Sequence, residues 1–155
     1  MFSTSCHYAL QAMLYIALHS KNDQNIDLTQ IADQQNIPKH FLSKILQSLV
    51  RSKLLISMKG PTGGFRLSRP ADDISLIEVV DAIDGLDIFT QCGIGFKKCN
   101  DNNPCPIHTD FKRVREQIQD LFQSKSLMEL TNDVKLGNSI VGAGQLLQSG
   151  GKAEI

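Results

Sequence analysis

Apolar residues recur at helical spacing near the start of the chain. Leu10, Met13, Leu14 and Ala17 mark one stripe, widened by Tyr8 and Ile16, which predicts a first helix over about 5–20. The polar run 21–25 ends it. Asp27, with Gln30 three residues on, has the spacing of a capping box for a short second helix whose apolar contacts are Leu28, Ile31 and Ala32. Asn36 and Ile37 make a tight turn, and Pro38 suits a first helical position. The third helix directs Phe41, Leu42, Ile45, Leu46 and Leu49 inward and leaves Lys39, His40, Ser43, Lys44 and Gln47 outward. Two short helices about a tight turn, the second with a basic outer face, form a helix-turn-helix.

The period then changes. Residues 54–58 and 65–67 read as short strands around KGPTGG, whose Gly60, Gly63 and Gly64 permit the left-handed backbone of a hairpin tip. Lys59 and Arg66 flank that tip, so the hairpin is a basic wing. Ser75 and Glu78 have capping-box spacing, and the helix they begin stops at Gly85. Residues 91–108 are rich in Cys, Gly, Asn and Pro and read as a loop. Phe111, Val114, Ile118, Leu121 and Phe122 then recur at three-and-four spacing in a helix over about 109–124, opposite Lys112, Arg113, Glu116 and Asp120. One more short turn begins at 126–129, and the weakly periodic segment from Gly137 reads as a mobile tail. The expected fold is mainly α. A winged helix-turn-helix domain spans 1–87, a cysteine-rich loop 88–108, a dimerisation helix with a short terminal helix 109–136, and the tail 137–155.

Charge sharpens this picture. The 155 residues carry 16 basic and 16 acidic side chains, a formal net charge of zero. Yet 34–71 contains no acid and holds Lys39, Lys44, Arg51, Lys53, Lys59, Arg66 and Arg69, whereas 72–87 holds six acids and no base. Such a block, laid over a helix-turn-helix and wing, is the electrostatic footprint of a module facing double-stranded DNA. Lys39, His40, Ser43, Lys44 and Lys59 are the candidate DNA contacts, because lysine attracts phosphate and can donate to guanine while Ser and His can serve base edges. Arg51, Lys53, Arg66 and Arg69 are candidates for phosphate only. No apolar stretch is long enough to span a bilayer and no cationic region precedes an apolar run, so the expectation is a cytoplasmic protein with no membrane partner. An enzyme is not expected: no histidine–acid relay is evident, and the glycines of KGPTGG lie in a hairpin instead of ahead of a helix.

In the cytoplasm, cysteines read as thiols, metal ligands or redox sensors before disulfides. Cys92, Cys99 and Cys105 lie within fourteen positions, with His108 three residues after the last. Soft thiolates favour iron–sulfur or zinc. Structural zinc usually takes cysteine pairs two to four residues apart; spacers of six and five form wider loops suited to several irons, though zinc stays open. Cys6, on the first helix, reads as a small hydrophobe. His19 reads as a surface residue.

The stretches HYALQAMLYIAL, IADQQNIPKHFLSKILQSLVRSKLLISMKGPTGGFRLSRP and ISLIEVVDAIDG resemble the bacterial Rrf-two regulators of the IscR and NsrR type over roughly residues 1–130. That resemblance implies a dimer on near-palindromic operators. It also implies an iron–sulfur cluster, [2Fe–2S] in preference to [4Fe–4S], on Cys92, Cys99 and Cys105, and a repressor responding to iron–sulfur status, redox stress or nitric oxide. The six-residue first spacer is one residue longer than is usual there. His108 matches the fourth ligand of the IscR type, while His7 occupies the place where NsrR-type proteins set an aspartate that reaches the partner subunit's cluster. Other members of the family lack the cysteines and sense different signals, so a cluster-free or zinc-stabilised repressor is the alternative.

Overall fold

The computed structural model describes residues 1–139 apart from Lys21, Lys97 and Lys98; the expected tail from 140 onward lies outside the described residues. Helix α1 (Thr4–His19) starts at Ser3, whose side chain accepts from the Cys6 N–H. Asp84 anchors this start, accepting from Ser3 N at 2.8 Å and Ser3 Oγ at 2.5 Å. Cys6, Ala9, Ala12, Met13, Tyr15 and Ile16 are the buried positions of α1. They put the helix through the middle of the domain, with two buried sides in place of the single stripe expected.

Helix α2 (Leu28–Gln35) is capped by Asp27, which accepts from Thr29 N at 2.7 Å. The expected box is not completed, because Gln30 Nε2 donates to the Tyr15 hydroxyl at 3.2 Å instead, tying α2 to α1. Asn36 ends α2 in the left-handed conformation at φ 52°. Pro38 is the cap of α3 (Lys39–Arg51), one position before the first helical residue. Strands β1 (Leu55–Met58) and β2 (Gly64–Leu67) pair antiparallel, with Leu55 opposite Leu67 and Met58 opposite Gly64. A bridge from Ile26 to Phe65, with both N–H···O contacts at 2.9 Å, adds a third short element on the inner edge. Among the three expected left-handed glycines, Gly60 (φ 105°) and Gly64 (φ 139°) have positive φ; Gly63 does not.

Helix α4 (Leu76–Ile83) has the Ser75–Glu78 capping box. A 3₁₀ turn at Leu86–Phe89 leads to the cysteine loop, then α5 (His108–Ser124) and α6 (Leu127–Lys135) follow. Helix α6 turns back into the first core. Ser126 and Glu129 form its capping box, Leu127 is fully buried, Leu127 N donates to Ile74 O at 2.9 Å, and Leu76 N donates to Lys125 O at 3.0 Å. One aliphatic core thus joins α1, α2, α3, the wing, α4 and α6 through Met13, Ile16, Ile31, Leu46, Val79 and Leu127. A smaller cluster of Cys6, Val80 and Phe89 receives Ile118 and Phe122 from α5. Burial pushes the Cys6 thiol up to about 12, with Asp84 adding to the effect, so it behaves as the expected hydrophobe. Among the described residues, no helix is long and apolar enough to cross a membrane.

Candidate functional site

The phase of α3 decides which side chains are free. Leu42, Ile45, Leu46 and Leu49 define the buried arc, leaving Lys39, His40, Lys44 and Gln47 exposed and Ser43 half-buried. Four of the five candidate DNA contacts therefore share the first two turns of one helix, and Lys59 stands exposed at the wing tip. Lys39 is also engaged: its Nζ donates to Thr29 Oγ1 at 2.6 Å and braces α2 against α3. Phe41 departs from the inward position expected. It is 51% exposed, because one residue before Leu42 is a rotation of about 100° off the centre of the arc, and its ring lies 4.5 Å from that of His40. The ring thus shares the exposed side of the helix with the candidate DNA contacts, and an apolar group there can meet a thymine methyl.

Arg69 is mainly a structural residue. It pairs with Glu78 and donates to Asp73 O at 3.1 Å and Lys53 O at 3.4 Å, joining the end of the wing to α4. Arg51 leans on Ser48 at 2.8 Å and Arg66 on Asp23 O at 3.4 Å. His19 stacks on Tyr15 at 4.1 Å and is bonded to its carbonyl at 2.9 Å.

Of the four candidate ligands of the cysteine loop, Cys99 and His108 are in direct contact. Backbone N–H groups of Ile94, Phe96 and Gly95, together with the Cys105 side chain, hold the Cys92 thiol below its usual range. Cys99 Sγ lies 3.1 Å from His108 Nδ1, and His108 is 7% exposed. Among the described residues, no group of three or more His, Cys, Asp or Glu side chains meets at one point. His7 is exposed on the first turn of α1, its ring edge-on to Phe2 at 6.5 Å.

The donor set suits a thiophilic group. It offers three thiols and one imidazole, and one sulfur sits in a nest of backbone N–H groups that favours the thiolate a metal requires. Three residues hold the loop, of which periodicity singled out Phe111 alone. Arg115 is buried, donates to Gln91 O and lies 5.4 Å over the Phe111 ring; its Nε has no acceptor among the described residues. Phe111 packs so closely on Gly93 that a Cβ there would sit 2.9 Å from the ring. Asp101 accepts from His108 Nε2 at 2.7 Å and pairs with Lys112 Nζ at 3.0 Å. That histidine–acid pair corrects the expectation of none. A buried arginine at the 111–115–118–122 spacing was the available signal, since a charge on a packing face needs a nearby acceptor.

A helix-turn-helix with a basic recognition helix and wing, on a core closed by a returning helix, is a winged-helix DNA-binding transcription regulator. Residues 2–133 match the Rrf2 family, iron-dependent transcriptional regulators, and the chain belongs to that family. It is 33% identical over 126 residues to the HTH-type transcriptional regulator IscR of Yersinia pseudotuberculosis, covering 81% of this chain and 76% of the relative. Two solved structures share the fold. CymR, the global cysteine regulator of B. subtilis, has a TM-score of 0.73 at 20% identity, over 85% of this chain and 96% of that one. IscR of T. potens has a TM-score of 0.70 at 21% identity, over 92% and 93%. These relatives are regulators, not enzymes.

Proposed function

We propose that this chain is a cytoplasmic, homodimeric repressor whose operator affinity is set by a [2Fe–2S] cluster on Cys92, Cys99, Cys105 and His108. The observation that carries this reading is the contact of Cys99 Sγ with His108 Nδ1 inside a loop that also holds Cys92 and Cys105. Three thiols and an imidazole are all donors that iron accepts, and the similarity to proteins named IscR supports an iron–sulfur group. When bound, the cluster supplies a redox couple and a target for oxidants and nitric oxide, with the imidazole tending to raise the potential. His108 is preferred to His7 because its ring nitrogen already faces a cysteine of the loop.

The residues of the chain connect that loop to DNA. Arg115 fixes the carbonyl of Gln91, next to Cys92, and Phe111 fixes Gly93, so the loop and α5 move as one piece. On the outer side of α5, Ile107, Val114 and Leu121 recur every seventh residue at 41%, 45% and 51% exposure. A seam of that spacing pairs with a second copy. Two recognition helices in a dimer must match half-sites about one helical turn apart, so a change in α5 orientation becomes a change in affinity.

Anaerobic purification followed by iron, sulfide and zinc analysis tests the reading. Replacing Cys92, Cys99 or Cys105 by Ser should remove visible absorbance, iron and sulfide, and Cys6→Ser should leave all three. Zinc also accepts three thiolates and an imidazole. Stoichiometric zinc without sulfide would establish a zinc-stabilised repressor, and absence of both a cluster-free one.

A further inference from the structure

His108 is bonded on both sides. Its Nδ1 lies 3.1 Å from Cys99 Sγ and its Nε2 lies 2.7 Å from Asp101 Oδ1. Asp101 is itself fixed, with Lys112 Nζ 3.0 Å from Oδ1 and 3.1 Å from Oδ2. Lys112 stands four residues after His108 on α5, so carboxylate, ammonium and imidazole are braced by the same helical turn. A carboxylate that accepts the N–H of one ring nitrogen fixes the tautomer, leaves the lone pair on the other nitrogen and strengthens it as a donor. Here the nitrogen left free faces the thiol.

We propose that Asp101 is a positioning residue for the cluster. It holds the His108 ring so that Nδ1, not Nε2, is the ligand atom, and Lys112 holds Asp101 in turn. The inference rests on the cluster reading above. Asp101 is not offered as a ligand, because both of its oxygens are engaged by His108 and Lys112 and a soft metal site prefers the imidazole. Its side chain is 70% exposed, so substitutions there leave the core untouched.

The test uses full-length protein loaded anaerobically, comparing wild type with Asp101→Ala, Asp101→Asn and Asp101→Glu. Three properties are read: iron lost to a ferrous chelator, the midpoint potential, and the electron paramagnetic resonance of the reduced cluster. Asp101→Ala should weaken iron retention about 10- to 100-fold, and Asp101→Glu should largely restore it. Asp101→Asn keeps an acceptor for Nε2–H but removes a negative charge, so it should raise the midpoint potential and shift the resonance while retaining iron better than Asp101→Ala. A sulfide-bearing wild type whose Asp101→Ala form matches it in all three properties overturns the role of Asp101 and leaves the cluster reading standing. A wild type without sulfide overturns the cluster reading first, and Asp101 as a support of its ligand falls with it.

Discussion

Gly64 stands at φ 139°, and a Cβ built on it would lie 2.3 Å from the carbonyl oxygen of Ile26. The space and the dihedral exclude a side chain for separate reasons, so Gly64→Ala should destabilise the fold by roughly 1–3 kcal/mol from backbone strain alone. Urea unfolding should register this as a lower midpoint at unchanged slope; an unchanged midpoint would mean that the wing relaxes freely. Glu78 gives a pH-dependent case. Burial pushes its carboxyl up, but the Ser75 N–H and Arg69 outweigh this and hold it below its ordinary 4.5. A group depressed in the folded state adds stability that is full above the unfolded value and is lost as pH falls through the folded one. Acid unfolding of the wild type should therefore be steeper below pH 4.5 than that of Glu78→Gln. Parallel curves for the two proteins would remove Glu78 from the account. Both residues were legible in the sequence as a hairpin glycine and a capping-box acid. The Ile26 carbonyl, 38 residues before Gly64, was not, and Arg69 was read as a phosphate contact instead of the partner of Glu78.

Helix α5 shows where periodicity stops informing. The spacing of Phe111, Val114, Ile118 and Leu121 suggests one apolar stripe, yet the helix has two. Ile118 and Phe122 turn towards Cys6, Val80 and Phe89, while Val114 and Leu121 stay exposed. A three-and-four pattern fits either arrangement until a neighbouring surface exists, and buried Arg115 marks which side meets the protein. Substituting Ile118 would disturb the core as well as any dimer, so it cannot separate the two. Leu121→Glu should instead yield monomers in sedimentation with the melting temperature of the fold changed little, and operator binding should fall sharply. A dimeric Leu121→Glu protein would move the interface off this helix. Helix α3 makes the same point on a smaller scale, because a pattern that counts Phe41 as core cannot detect a ring one step past the edge of the buried arc.

At the scale of the molecule, the fold was largely readable because most local signals agreed with one another: the caps at Asp27 and Ser75, Gly60 and Gly64 at the hairpin, and the acid-free block fell where the winged helix needs them. The site was readable only as a set of ligands. The contact of Cys99 with His108, and the clamp from Arg115 and Asp101, depend on packing across the loop and α5 that spacing does not encode. DNA binding is expected to be steeply salt dependent. Replacing Lys44 and Lys59 by Ala should lower the slope of log affinity against log salt by about one for each phosphate that is no longer neutralised. An unaltered slope in the double variant would show that the block merely faces solvent. The return of α6 to the first core has a consequence for how the protein is made. Leu127 is fully buried beside Ile74, so the first core is completed by a residue that lies beyond the cysteine loop and α5 in the chain. A ribosome therefore completes the cysteine loop and α5 before the DNA-gripping half can close. The nascent chain gains its complete core only after the cysteine loop and α5 have been synthesised.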